Sequence, residues 1–351
     1  IVEEFARLHG YQHIPETIPA LSSAPAVHET AFTGESRIRR LLQGAGLLQA
    51  INYAFVSKSF QETLLGDVKR LTASGLRAQA EAVALMNPLN EEIGVMRTSL
   101  MPGLVKNVVY NSRHGNQFGR LFELGFGHFS ESGADGKKSY PQEGRLGFAF
   151  WGNEENLWNK SAPAPLIFAL KGSIETLLRE LGFKKWKWIT FKGDGPEFLH
   201  PGQSAALQVE GKNIGFIGTL HPSITTDQKI RESVAVGELA LDKLVGVKER
   251  GVSYSPLIRM SAVDRDLAFV MPRDLAVGEV EGEMRKAAGE LLRDVRVFDV
   301  FEGKGLEEGK RSVAFRLVFQ SKEATLEDAQ INELRDKVVK SVGDKFGISL
   351  R

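Results

Sequence analysis

With 351 residues, the chain is long enough for two or three domains with cores of their own. Hydrophobic residues make up 42% and charged residues 25%, as in an ordinary globular protein, and the formal net charge of +1 excludes a global field that would gather nucleic acid. The absence of cysteine excludes disulfides and thiolate metal centres. With no secretory signal pattern and no apolar run of membrane-spanning length, the cytoplasm is the expected location.

The chain opens IVEEFARLHG without an initiator methionine. Val2, Phe5, Ala6 and His9 follow helical spacing, Gly10 stands where a C-terminal cap belongs, and no N-cap residue precedes them. This pattern reads as the end of an upstream domain whose remainder is missing, over residues 1–20. The Pro-rich segment Ile14 to Val27 is a linker.

Beyond it, a helix is expected from Thr33 to Gly46, with Ile38, Leu41, Leu42 and Ala45 as its buried stripe. INYAFV (Ile51–Val56) reads as a strand, MNPLNEE as a turn, and Ser99 or Met101 to about Arg113 as a helix with Pro102 in its first turn. Strands follow at Phe118–Phe129 and Arg145–Gly152, then an amphipathic helix at Pro163–Leu181 closed by Gly182. KWKWITF is a further strand, and SAALQVEGKNIGFIGTL is a hairpin turning at Glu210–Lys212. A short helix at Pro222–Lys229 and the strand VAVGELAL complete the region. Residues 21–250 are thus expected to be an α+β domain on a mainly antiparallel sheet.

A second boundary is expected at Gly251–Arg259. From 256 to 351 the order is strand (Val263–Val270), helix (Val277–Ala288), strand (Val295–Phe301), strand (Ser312–Gln320), helix (Glu327–Phe346) and a short end, GISLR. This β-α-β-β-α-β order is that of a ferredoxin-like sandwich, with helices on one face of the sheet and the other face open. Strict alternation along VRVFDVF places Phe298 and Val300 on one face and Val297, Asp299 and Phe301 on the other. In the partner strand Phe315, Leu317 and Phe319 oppose Ala314, Arg316 and Val318. Assigning the all-apolar sets to the core leaves Asp299, Phe301 and Arg316 on the open face. An aromatic beside an Arg and an Asp is a platform for a stacked base. The plainer alternative is that Phe301 ends a strand under a loop.

Other constellations carry less. His9 and His13 are four apart, but Gly10 breaks the helix between them. Gly125-Phe126-Gly127 lacks the rest of a phosphate-loop fingerprint, and no nucleophile elbow is present. Glu3 and Glu4 form an acidic pair of the kind that is usually solvated but can serve a hard cation.

Four segments together resemble one family. VEEFARLHGYQHIP, then NPLNEEIGVMRTSLMPGLVKNVVYN with GRLFELGFGHF, then HPGQSAALQVEGKNIGFIGTLHP, and finally DRDLAFV, VFDVFEGKGLEEGKRSVAFRL and GISLR are similar, in order, to the C-terminal half of the beta subunit of bacterial phenylalanine–tRNA ligase. The resemblance implies a class II synthetase-like antiparallel core at 21–250 and a ferredoxin-fold anticodon-binding domain at 256–351. It implies a non-catalytic subunit that scaffolds a catalytic alpha chain in an α2β2 heterotetramer and grips the anticodon of phenylalanine tRNA. ATP and phenylalanine would bind the alpha chain, helices Thr33–Gly46 and Ser99–Arg113 would be natural contacts to it, and the proofreading domain would lie upstream of Ile1. The late segment VAVGELALDKLVG has neither a Gly-rich run nor the Arg that a working class II site needs, and Arg120 and Glu123 read as structural relics.

The resemblance further implies that Phe301 stacks on an anticodon base, with Asp299, Arg316 and, more weakly, Arg265 beside it. Arg265 shares its face with Leu267 and Phe269, so pairing with a carboxylate is its alternative role. Glu3 and Glu4 would be part of a Mg2+ site shared with the alpha chain, incomplete here. From Pro256 onward the chain has 17 basic and 18 acidic residues, so RNA binding has to rest on stacking and a few placed cations. A stand-alone RNA-binding module and an autonomous class II enzyme are the competing functions.

Overall fold

The structure is a computed structural model. It describes residues 1–15, 17, 30–133, 136–152, 165–245, 254, 256–303 and 305–351, with side chains described from 32 onward in the second helix. Most of the linker expected at 14–27, and residues 251–253 and 255 of the boundary expected at 251–259, fall outside the described residues. The chain forms two compact units, residues 1–250 and 251–351.

The first unit begins with α1 (Val2–His9), α2 (Thr30–Gly44), β1 (Leu48–Gln49), β2 (Phe55–Val56), α3 (Lys58–Leu65), α4 (Lys69–Thr72), β3 (Val95–Met96) and α5 (Met101–Arg113). It continues with β4 (Gly119–His128), β5 (Glu131–Ser132), β6 (Lys138–Ser139), β7 (Gln142–Trp151), α6 (Leu166–Leu181), β8 (Trp186–Thr190), β9 (Leu199–Val209), β10 (Lys212–Leu220), α7 (Pro222–Asp227), β11 (Val234–Ala240) and α8 (Asp242–Val245). Seven strands form one sheet in the order β1-β4-β7-β11-β10-β9-β8. Among the described residues only the short β1–β4 pair of this sheet is parallel, so the sheet is mainly antiparallel as the sequence implies.

Both faces of this sheet are filled. On one, Leu166, Leu170, Ile174, Leu177 and Leu181 of α6, with Ile38 and Leu42 of α2, pack on Phe122, Phe148 and Phe150. On the other, Leu100, Leu104, Val105 and Val108, at and beyond the start of α5, pack on Ala149, Trp151, Phe216 and Val236. Burial on both sides explains why β7 reads as the unbroken apolar run LGFAFW rather than as an alternation. The β9–β10 turn carries positive φ at Glu210 and Gly211, the geometry of a tight hairpin.

The strand expected at Ile51–Val56 shrinks to Phe55–Val56, with β1 lying upstream at Leu48–Gln49. Ile51 and Tyr53 are exposed, and the residue between them is held by side-chain chemistry: Asn52 donates its Nδ2 to Glu123 Oε2 at 2.7 Å. Local apolar alternation was therefore not matched by a partner strand.

Two buried carboxylates tie α5 and the strands together. Glu123 on β4 accepts from Arg97 at 2.6 Å, with side-chain exposures of 2% and 5%, and Arg97 Nε also donates to the Phe126 carbonyl. Gly125 leaves the space: a Cβ there would come within 2.2 Å of Arg97. The Gly-Phe-Gly run thus makes room for an ion pair rather than for a phosphate. Glu238 on β11 accepts from the Ser99 hydroxyl at 2.5 Å and the Leu100 amide at 3.0 Å, satisfying donors at the N-terminal end of α5.

The second unit comprises β12 (Val263–Pro272), α9 (Val277–Ala288), β13 (Leu292–Phe301), β14 (Lys310–Phe319), α10 (Asp328–Phe346) and β15 (Ser349–Leu350). Its sheet order is β13-β14-β12-β15, fully antiparallel. Val280, Met284, Val338 and Val342 of the two helices cover Phe269, Val313, Phe315 and Leu317 on one face. Glu283 on α9 accepts from Ser341 and Lys345 on α10, which ties the helices to each other.

Replacing Glu123 by Ala leaves the Arg97 guanidinium buried without its counter-charge. The expected loss is about 3–5 kcal/mol of unfolding free energy in urea titration. A loss well below 1 kcal/mol would show that the pair is not buried as described.

Candidate nucleic-acid interface

The open face of the second sheet is set by a break in alternation. Along β13 and β14 the register runs Val295↔Leu317, Arg296↔Arg316, Val297↔Phe315, and then skips to Asp299↔Ala314, Val300↔Val313 and Phe301↔Ser312. Phe298 is the extra residue of a β-bulge, so the phase of the strand changes there. Val297, ahead of the bulge, opposes Phe315 on the core side and not on the face of Asp299 and Phe301 expected for it, while beyond the bulge Val300 opposes Val313 and Asp299 and Phe301 oppose the small residues of the open face.

This corrects the expectation that Phe298 shares the helix-covered face: it is 52% exposed and lies under Arg316 on the open side, whereas Val300 keeps its core-side register opposite Val313 but is left 49% exposed. A strict two-residue period cannot hold across an inserted residue. Asp299 and Phe301 remain on the open face, and Phe298 joins them.

Each of the two rings carries a guanidinium. Arg316 Cζ lies 5.1 Å from the Phe298 centroid, and Arg351 Cζ lies 4.9 Å from the Phe301 centroid. Arg351 follows the edge strand β15 and is fixed by its amide donating to the Ala268 carbonyl at 2.9 Å. Ala268 and Ala314 are paired in register, so small side chains form the floor over which Arg351 reaches β13. Phe301 is half-buried. These are cation–aromatic contacts of ordinary reach.

Counter-charges orient the cations. Arg316 donates Nε and Nη2 to the two oxygens of Asp266 at 2.9 and 2.8 Å. That bond and the Arg316 charge hold the Asp266 carboxyl below the usual aspartate range, and Asp266 raises Arg316 in return. Arg296, directly opposite Arg316, donates to Asp294 at 2.5 Å. Both pairs lie at the surface and contribute little to stability, so their effect is positional. The face thus presents two aromatic rings, three arginines with fixed planes, and the exposed carboxylate of Asp299. Planar cations and rings suit unstacked bases, and a carboxylate accepts from base amino groups.

Arg265 is not part of this assembly. It opposes Leu317 on the helix-covered side and donates to Asp328 Oδ1 at 2.7 Å, at the start of α10. The pairing with a carboxylate is what its parity with Leu267 and Phe269 pointed to. Glu3 and Glu4 stand exposed on α1, where neighbouring side chains diverge by about 100° around the helix. Glu4 is engaged by Arg7 at 2.6 Å, and the described residues contain no cluster of three or more metal-ligating side chains. On their own these two carboxylates fall short of the donor set a magnesium ion takes from protein and water.

Sequence reasoning does not single out Arg296 or Arg351, and it assigns Phe298 to the core. A bulge leaves no pattern in a single sequence, and a terminal Arg gains its role only from the strand order that brings β15 beside β12.

Residues 14–241 match the family described as the phenylalanyl tRNA synthetase beta chain CLM domain, and residues 259–351 match the ferredoxin-fold anticodon binding domain. The whole chain aligns at 46% identity with 43% of the phenylalanine–tRNA ligase beta subunit of Bdellovibrio bacteriovorus. It aligns at 33% with 42% of that of Bacillus licheniformis, and at 34% with 42% of that of Vibrio cholerae. The chain therefore spans about two fifths of the length of these curated relatives. Among solved structures, a pyrrolysyl-tRNA synthetase from Desulfitobacterium hafniense has a TM-score of 0.45 at 15% identity, covering 70% of this chain and 76% of that one.

Two measurements check the geometry. Phe298→Ala is expected to lower stability by no more than about 1 kcal/mol in urea titration. Phe315→Ala, which empties a fully buried position, is expected to cost about 3–5 kcal/mol; equal losses would contradict the bulge. In an NMR titration the Asp266 carboxyl should have its midpoint below that of a free aspartate, because its charged form is the one Arg316 favours. Its contribution to folding is therefore present above the unfolded-state midpoint and is lost as pH falls through the folded one. Arg316→Ala should move that midpoint back up; no movement would contradict the pairing.

Proposed function

This chain belongs to the phenylalanyl-tRNA synthetase beta-chain family, and we propose that it serves as a non-catalytic, tRNA-binding part of a phenylalanine–tRNA ligase. In this reading the second unit reads the anticodon of phenylalanine tRNA. The first unit is a scaffold for a catalytic alpha chain, which holds ATP and phenylalanine within an α2β2 assembly in the cytoplasm. The observation that carries the reading is the open sheet face on which Phe298 and Phe301 each sit under a guanidinium, inside the segment that matches an anticodon-binding domain.

The physical chemistry favours a single-stranded RNA loop. The region from Pro256 onward has 17 basic and 18 acidic residues, so bulk attraction to a duplex is weak. Unpaired bases, in contrast, can be gripped by ring and guanidinium planes, at about 1–3 kcal/mol per stacked base. Phe301 with Arg351 offers one such seat and Phe298 with Arg316 a second, with Asp299 placed to accept from a base edge.

The scaffold reading is supported by the filling of both faces of the seven-stranded sheet by helices and aliphatic side chains. The buried acids Glu123 and Glu238 already have partners within the fold. A stand-alone RNA-binding module would share the open face but would need no alpha chain.

Binding of phenylalanine tRNA is the test. Phe301→Ala and Phe298→Ala are each expected to weaken it by about 1–3 kcal/mol, or roughly 5- to 150-fold, with the fold retained by circular dichroism. Unchanged affinity in both variants would exclude this face as the RNA contact. Tight, strongly salt-dependent binding of unrelated RNA without the alpha chain would favour the stand-alone module.

A further inference from the structure

The first unit carries a lysine-rich edge that the anticodon reading does not use. Strand β8 lies in the stretch FKKWKWITFK and is the outermost strand of the seven-stranded sheet, paired among the described residues with β9 alone. Trp186 and Trp188 oppose Val209 and Leu207 and pack on the α6 side of the core, and Trp188 Nε1 donates to Glu175 at 2.8 Å. The tryptophans therefore fix the strand and are half-buried against the core. Lys187 faces the other way, opposite Gln208. Lys184 and Lys185 precede the strand and Lys192 follows it. The β9–β10 turn brings Lys212 to the same edge, where the Glu210 amide meets the Lys185 carbonyl at 3.4 Å.

All five lysines are exposed, and none has a hydrogen-bonding or ion-pairing side-chain partner among the described residues. Elsewhere in this unit Lys58, Lys106 and Lys171 are each paired with a glutamate, while Lys69, Lys138, Lys229 and Lys243, unpaired among the described residues, are scattered along the chain and not grouped on one strand. Glu180, Asp194 and Glu210 are the exposed acids at this edge, so lysine is in excess. Lysine on an edge strand also blocks pairing with another sheet. That role accounts for Lys187 inside the edge strand but not for Lys184, Lys185 and Lys192 outside it, nor for Lys212 at the start of β10.

We propose that this edge is a contact for the phosphate backbone of RNA, separate from the aromatic face of the second unit. Lys185 and Lys187 lie about 7 Å apart along the chain at the strand rise of 3.3 Å per residue, on the scale of successive phosphates. With no ring free to stack, the contact is to phosphate alone, independent of sequence and sensitive to salt. The proposal rests on the reading that this chain binds tRNA.

The test is tRNA binding from 50 to 200 mM KCl by the unsubstituted chain and by the Lys184→Ala/Lys185→Ala/Lys187→Ala variant, with circular dichroism to verify the fold. Losing three phosphate contacts should make the slope of log K against log salt shallower by about 2–3 and weaken binding severalfold at 50 mM. Phe301→Ala should lower affinity at an unchanged slope. An unaltered slope in the lysine variant would overturn the phosphate contact while leaving the anticodon reading intact. No tRNA binding by the unsubstituted chain would overturn both. Loss confined to binding of anionic vesicles, with tRNA binding unchanged, would assign the edge to another polyanion and overturn the proposal.

Discussion

A four-stranded sheet covered by helices on one side has to leave its other side to water or to a ligand. The second unit depends on that constraint. Its apolar residues are drawn to the α9–α10 side, where Phe269, Phe315 and Leu317 are sealed from solvent. The remaining face is free to carry residues that a core would not tolerate. Arg296 and Arg316 stand opposite each other there, a repulsive arrangement in isolation. Each is offset by its own acid, Asp294 and Asp266, so the two planes are held near each other despite their like charge.

The bulge at Phe298 turns this face from charged to aromatic. Without the extra residue, strict alternation from Arg296 would keep Phe298 on the open face and turn Asp299 and Phe301 into the helix layer. With it, two rings and two guanidiniums share one surface. The small floor of Ala268 and Ala314 lets Arg351 cross from β15 toward Phe301. The first unit solves the opposite problem. Its sheet is closed on both sides, and its buried acids are used internally: Glu123 neutralises Arg97, and Glu238 receives the start of α5. A sheet sealed in this way suits a part whose task is to hold shape and present edges.

Much of this was legible in the sequence, and the failures have physical causes. Gly182, with φ of 96°, ends α6 where a glycine cap was expected, and Pro102 lies in the first turn of α5. The helix α9 runs Val277–Ala288 as its spacing implied. These are local signals, decided by a few neighbouring residues. The open face was found through Asp299, Phe301 and Arg316, but Phe298 was placed in the core because alternation was carried across the bulge. INYAFV has the composition of a strand, yet the long-range bond from Asn52 to Glu123 holds it otherwise. Arg351 was invisible because its role comes from strand order. Pairing register and side-chain reach across strands lie beyond what spacing in one sequence encodes.

The most direct test of the central claim, that the helix-free face of the second unit is the RNA-reading surface, is an NMR titration of the chain with the anticodon stem-loop of phenylalanine tRNA, following backbone amide shifts. The account predicts that the largest changes fall on Phe298, Asp299, Phe301, Ser312, Ala314, Arg316 and Arg351, while Arg265 and the amides of α9 and α10 stay still. Shifts concentrated on the helices, or none on β13 and β14 at saturating RNA, would contradict it.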